Sequence, residues 1–218
     1  MRVPFSGIPP GPSRREGRRP WDQAGYAAID FETTGLDLAR DAIVSYGVVP
    51  VDAGRIRVTD SVHRLVRPAV PPSPTSQTIH LLRPVDLADA ATEQEAAVDL
   101  RARLARRIVL AWFAEVEVHL LARSLGGTVA AWRRRTIDVR NLAIAVEGQP
   151  ASVRAEHGYA LTASARRYGV PVAAPHEAYD DALVTAQLFL VLVGKLPSGR
   201  SVSPAQLLHL AGATELPT

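Results

Sequence analysis

The run Ala28-Ile29-Asp30-Phe31-Glu32-Thr33-Thr34-Gly35-Leu36-Asp37 ends an apolar stretch with two carboxylates. A buried strand seldom closes on charge without a partner, because desolvating a carboxylate is costly. Residues two apart on an extended chain share a face, so Asp30 and Glu32 point the same way. At contact distance such a pair repels by a few kcal/mol even at an effective dielectric of about 20. A shared divalent cation removes that repulsion, and the pair reads as half of a metal site. The chain contains no cysteine, which excludes disulfides, thiolate zinc sites and cysteine nucleophiles. Any metal must therefore sit on oxygen or imidazole. His63, His119, His157 and His209 have no partner at metal-ligand spacing and read as satisfied or solvated rings.

The elements that carry these acids follow from periodicity. Tyr26 to Phe31 reads as a buried strand, and Thr33-Thr34-Gly35 as the turn after it. Ala42 to Val51 and Ile56 to Val66 are rich in β-branched residues and flank the hairpin signal Asp52-Ala53-Gly54. Pro68, Pro71, Pro72 and Pro74 predict an extended loop, and Pro84 to Arg106 a helix. Ile108 to Phe113 reads as a strand, and Glu115 to Ser124 as a helix stopped by Gly126-Gly127. A further strand ends near Ile137, with Asp138 capping the next helix. Leu161 to Tyr168 and Asp180 to Val193 are amphipathic helices, and Ser203-Pro204 opens a short one reaching Leu210. Antiparallel strands followed by alternating helix and strand make an α/β fold: a mixed sheet flanked by helices on both faces.

Composition bounds the function classes. With 218 residues, 47% hydrophobic, 22% charged and a mean hydropathy of +0.03, the chain is neither disordered throughout nor collagen-like nor a coiled-coil rod. Its longest apolar stretch, Ala182 to Gly194, is too short for the roughly 20 residues that cross a bilayer. No apolar run of a secretory signal follows the N-terminal arginines, so no membrane partner and a cytoplasmic location are expected. Residues 1–22 read as a flexible basic tail rich in proline and glycine, 23–195 as one domain, and 196–218 as an extension with a short helix. The net charge of +3 comes from residues 1–20, whose five arginines face only Glu16. The body is about neutral, so charge alone names no nucleic-acid partner.

The stretch Asp30-Phe31-Glu32-Thr33-Thr34-Gly35 resembles the first motif of the DEDDh 3′–5′ exonucleases. That family is typified by the proofreading epsilon subunit of bacterial DNA polymerase III and has the ribonuclease H-like fold. The family's last motif, histidine, four residues, aspartate, is matched by His176-Glu177-Ala178-Tyr179-Asp180-Asp181. The segment Leu161 to Pro171 is similar to the helix and turn before it, so the resemblance covers about Gly25 to Val193. It implies hydrolysis of single-stranded DNA or RNA 3′ ends to nucleoside 5′-monophosphates, with two Mg²⁺ or Mn²⁺ ions. Asp30 would bridge both ions, Glu32 would hold one, Asp181 the other, and His176 would take the proton of the attacking water. A histidine pKa near 6.5 suits that role. A DNA polymerase is an expected type of partner.

Two positions depart from the family. Its middle motif, commonly His-Asn-Ala-x-Phe-Asp, corresponds to Trp112-Phe113-Ala114-Glu115-Val116-Glu117, which puts Glu117 on the aspartate and leaves Glu115 as a substitute ligand. Glutamate keeps the charge but reaches one methylene further. At Ile79-His80-Leu81-Leu82 the family has histidine followed by glycine; here leucine replaces the glycine. By resemblance His80 and Leu81 line the nucleotide pocket, and Thr33, Thr34 and Gly35 contact the last base and sugar. The altered middle motif also admits another reading, an impaired nuclease-like domain serving as a nucleic-acid or protein binding module. A phosphoesterase acting on a small nucleotide would share the same acids. Arg133-Arg134-Arg135 fits either a phosphate contact or a solvated face.

Overall fold

The computed structural model describes residues 7–35, 37–148, 159–173, 176–197 and 201–212. These residues form a seven-stranded mixed sheet in the order β5-β4-β2-β1-β6-β7, with β3 paired to β2. The strands are β1 Tyr26–Thr33, β2 Ile43–Asp52, β3 Arg55–Ile56, β4 Val62–Arg67, β5 Ala91–Thr92, β6 Ile108–Ala111 and β7 Thr136–Asp138. β1 lies antiparallel to β2, and β2 to β4, while β1, β6 and β7 run parallel. This is the expected mixed α/β sheet. Alternation along β1 assigns its two faces. Ala27, Ile29 and Phe31 enter one core with α2 (Glu93–Leu104) and α3 (Glu115–Leu125). Tyr26 and Ala28 enter the other, with α5 (Val139–Val146) and α7 (Ala178–Lys195). Asp30 and Glu32 continue that second row, so they face α7.

The remaining helices are α1 Pro74–His80, α4 Val129–Arg133, α6 Leu161–Arg167 and α8 Pro204–Ala211. Helix α1 occupies the segment expected as the end of an extended loop. Ser73 caps it, its side chain accepting from the Ser76 N–H, with Pro74 at the first helical position. The expected helix from Pro84 to Arg106 is divided: a 3₁₀ turn Pro84–Leu87 precedes β5, and α2 starts only at Glu93. The cause is a capping box, in which Thr92 accepts from Glu95 N–H while the Glu95 carboxylate accepts from Thr92 N–H. The long strand expected from Ile56 to Val66 is also broken, because the 3₁₀ turn Val58–Asp60 separates β3 from β4. There Arg57 pairs with Asp60 and Ser61 Oγ donates to the Arg57 carbonyl, so local polar groups capture the backbone.

Over residues 7–22 the N-terminal segment lies against the domain. The carbonyls of Gly7 and Pro9 accept from the guanidinium groups of Arg101 and Arg135, and that of Pro10 accepts from the Arg106 N–H. The Trp21 ring is buried edge-on to Phe189, and the Trp21 backbone N–H donates to the Val202 carbonyl. Backbone carbonyls of a proline-rich chain need no core of their own when buried arginines of the domain take them as acceptors. Helix α8 packs on α5 and β7, and Gly212 bridges Ile137.

One glycine sets the position of α7. Gly47 pairs with Asp30 across the β1–β2 ladder, and a Cβ there would collide with the Ala178 carbonyl at the first turn of α7. Gly47→Ala is expected to lower unfolding free energy by about 3 kcal/mol, at the upper end of overpacking because the obstacle is backbone. Urea denaturation measures it, and a loss below about 0.5 kcal/mol would contradict this seating of α7.

Candidate active site

Seating α7 on Gly47 brings Asp181, in its first turn, against the end of β1. One carboxylate oxygen each of Asp30, Glu32 and Asp181 lies within 4.8 Å of the others. Glu117, in the first turn of α3, is buried, and its charge acts on Asp30. Asp30, Glu32 and Glu117 are all pushed up chiefly by burial, and every charge reinforcing the shift is another carboxylate. Glu32 and Glu117 reach about 8, while Asp30 rises well above the carboxylate range. Asp181 is also raised by burial, opposed by the His176 N–H donating to its Oδ2 at 3.1 Å.

Two of these acids carry buried oxygens without a hydrogen-bond partner, Glu117 Oε2 and Asp181 Oδ1. Orphaned oxygens beside mutually repelling carboxylates fit hard divalent cations such as Mg²⁺ or Mn²⁺. Glu115 does not join them. Its carboxylate is bound by Arg133 at 2.5 and 3.1 Å, and it pairs with His119. Asp138 is the expected cap: it accepts from the Arg140 and Asn141 N–H groups, and its other oxygen accepts from Ala114 N–H, holding the start of α3. Burial raises its pKa, and its charge helps to raise that of Glu117.

His176 stands exposed at the mouth, on left-handed backbone with φ of 65°. The next residue, Glu177, was not singled out from sequence. It caps α7 by accepting from Asp180 N–H, and its other oxygen pairs with His63 at 2.9 Å. His63 in turn contacts Ser45, the ladder partner of Glu32. An acid immediately before a helix is the signal that could have marked Glu177 as a cap.

Thr33, Thr34, Gly35, His80 and Leu81 form the adjoining wall. Ser73 N–H and Ser76 Oγ both donate to the Thr34 carbonyl, which binds α1 to the turn after Glu32. His80, buried against the Thr33 backbone, has its pKa lowered by burial. The two threonine hydroxyls donate within the loop, Thr33 to the Gly35 carbonyl and Thr34 to Asp41. A Cβ on Gly35 would strike the Asp41 carboxylate, so packing requires that glycine. The arginine run is structural in two of its members: Arg133 holds Glu115, and Arg135 is buried on carbonyls. His157 lies outside the described residues.

Acids gathered at the carboxyl end of a central strand, on a mixed sheet covered by helices, define a nuclease-type α/β domain of ribonuclease H-like fold. The chain belongs to the RNase_T exonuclease family, whose model matches residues 27–189. It is 29% identical over 174 residues to the PolC-type DNA polymerase III of Thermotoga petrophila, covering 79% of this chain and 12% of that protein. Against the 3′-5′ exonuclease DinG of Staphylococcus aureus it is 24% identical, covering 79% and 18%. The chain thus spans a small part of these relatives' length. Among solved structures, E. coli exonuclease I bound to a dT13 oligonucleotide superposes with a TM-score of 0.67 at 15% identity, covering 80% of this chain and 42% of that one. Exonuclease X with 5′-overhanging duplex DNA gives 0.61 at 23%, covering 84% and 99%. Among the described residues no helix is long and apolar enough to cross a membrane.

The raised carboxyls fix the sign of a pH effect. Each keeps its proton longer in the folded state than in the unfolded chain, so the folded state binds more protons between the two pKa values. Stability of the metal-free protein should therefore fall as pH rises from the ordinary carboxyl range to about 8. The slope is up to about 1.4 kcal/mol per pH unit for each group. Glu32→Gln, or added Mn²⁺, should flatten the decline in thermal midpoint. A metal-free midpoint that stays level across this range would contradict the buried acid cluster.

Proposed function

We propose that the chain is a divalent-metal-dependent 3′–5′ exonuclease that shortens single-stranded DNA or RNA ends, releasing nucleoside 5′-monophosphates. The observation that carries this reading is the meeting of Asp30, Glu32 and Asp181 within 4.8 Å. Glu117 is the fourth acid of the set and His176 stands at the mouth. Two Mg²⁺ or Mn²⁺ ions on these carboxylates would supply stabilisation of the phosphoryl charge and a water of lowered pKa. Asp30, Glu32, Glu117 and Asp181 would hold those ions. His176 accepts the proton of the attacking water. The water oxygen bonds to phosphorus, the bond from phosphorus to the 3′ oxygen breaks, and that oxygen takes a proton from solvent so that the departing strand leaves as a 3′-hydroxyl. Backbone of Thr33, Thr34 and Gly35, with His80 and Leu81, receives the terminal nucleotide. The PolC-type relatives support a polymerase as partner.

A second reading rests on Glu117 itself: the added methylene could displace the fourth carboxylate far enough to silence the chemistry, leaving a strand-binding module. One experiment separates the two. A 5′-labelled single strand, as DNA and as RNA, is incubated with Mg²⁺ or Mn²⁺ and the wild type, Asp30→Ala, His176→Ala or Glu117→Asp. A ladder shrinking from the 3′ end is expected, reduced at least about a hundredfold by either alanine change. Silence in the wild type with activity regained in Glu117→Asp would assign the loss to the middle motif. Binding without cleavage in every variant would establish the module.

A further inference from the structure

The row of residues that crosses the sheet at the acid cluster continues past it. Asp30 on β1 is paired with Gly47 on β2, and Gly47 with His63 on β4. Residues directly opposite one another in antiparallel strands share a face, so His63 stands on the α7 side, two strands from Asp30. The first turn of α7 lies across this row. Its Ala178 carbonyl sits over Gly47, Asp181 reaches the acids on one side, and Glu177 reaches His63 on the other. Bare backbone at Gly47 lets the helix approach but gives it nothing to hold against rotation or sliding. The pair of Glu177 with His63 supplies that hold: one Glu177 oxygen accepts from Asp180 N–H at 3.0 Å, and the other lies 2.9 Å from His63 Nδ1. An ionised carboxylate can only accept, so Nδ1 carries the proton. Nε2 is 3.3 Å from Oγ of Ser45, which is buried, paired with Glu32 and able to donate to it. Both nitrogens of a neutral ring are then used.

Glu177 leads directly to two residues of the site. Its carbonyl accepts from Asp181 N–H at 3.0 Å, and it follows His176, whose N–H donates to Asp181 Oδ2. His176 has φ of 65°, and a residue on left-handed backbone keeps that conformation only where its neighbours hold it. We propose that His63 is a positioning residue: through the Glu177 carboxylate it fixes the first turn of α7, so that Asp181 meets Asp30 and Glu32 and His176 stands at the mouth. The inference rests on the exonuclease reading and deepens it. His63 acts through Glu177 and takes no part in the chemistry itself. The charge of Glu177 is felt by Asp30, Glu32 and Asp181, so a carboxylate released from His63 would alter the field within the site as well as its geometry.

Two measurements on the full chain test this role: Mn²⁺ binding followed by electron paramagnetic resonance, and steady-state cleavage of a 5′-labelled oligo-dT strand. His63→Ala should lower kcat and Mn²⁺ affinity about tenfold each, as for loss of a group that orients a ligand. KM for the strand should stay within about twofold. The thermal midpoint should move by less than about 3 °C, because a half-exposed pair adds little to stability. His63→Asn, whose amide N–H can take the place of Nδ1–H, should recover most of both losses. In a Glu177→Ala background His63→Ala should add nothing further, because the two residues act as one unit. Wild-type kcat or wild-type Mn²⁺ affinity in His63→Ala, a loss confined to KM, no recovery in His63→Asn, or a full additional loss in the Glu177→Ala background would overturn the positioning role. A wild type that binds Mn²⁺, loses that affinity in His63→Ala and cleaves no strand would keep the positioning role and overturn the exonuclease reading. A wild type that binds no Mn²⁺ would overturn both.

Discussion

Repulsion among carboxylates is the constraint around which this chain is arranged. Asp30, Glu32 and Glu117 are pressed into one another's field by burial, and the charges acting on them are all negative. Nothing local holds such a group together, so packing elsewhere must. Strand β1 is central, with an apolar core on each face, and cannot shift to spread its acids. Helix α7 is seated by the bare backbone of Gly47, and the start of α3 is held by Asp138 on Ala114. The apolar cores thus hold in place a polar arrangement that is unfavourable by itself. A divalent cation would convert that liability into binding free energy, because the carboxylates are already gathered.

Much of the site was legible in local sequence. Asp30 and Glu32 stand two apart on an apolar strand, and the His176 to Asp181 spacing opens a helix; both signals are short-range and survived folding unchanged. What was not legible depends on partners distant in sequence. Glu115 looked available until α4 brought Arg133 onto it, and the partner that satisfies His63, Glu177 at 2.9 Å, is supplied only by α7. Gly47 carries no motif, and its importance exists only because α7 crosses there. The same holds for the N-terminal segment. Its composition lacks any means of building a core, but its carbonyls are what Arg101 and Arg135 lacked. At the level of elements, the missed helix α1 and the split before α2 were marked by Ser73-Pro74 and by Thr92 with Glu95, signals that periodicity overrode.

Strain is distributed in the same pattern. Of the five non-glycine residues with positive φ among the described residues, Leu81, Phe113 and His176 lie on loops at the carboxyl edge of the sheet. The other two, Ala53 and Arg106, sit in turns elsewhere. At the edge the chain must leave strands β1 and β6 and the last motif in directions that keep the acids convergent. Left-handed positions provide sharp exits, and Phe113 is steadied by the Arg140 guanidinium 4.1 Å from its ring. Backbone strain here is tolerated because buried His80 and Asp181 and half-buried Trp112 hold the segments on either side.

Helix phase explains why Glu117, and not Glu115, acts on Asp30. Residues two apart on an α-helix point about 200° away from each other, so the two glutamates of α3 cannot serve one site. Asp138 fixes the phase by holding the Ala114 N–H, which turns Glu115 toward Arg133 and Glu117 toward Asp30. Side-chain length is then the only variable left. A glutamate whose helix start is pinned must fold its extra methylene or stop beyond the meeting point of the other three, and its Oε2 is buried without a hydrogen-bond partner. The pinned helix therefore makes the difference between aspartate and glutamate a matter of one carbon's reach, with the direction already decided.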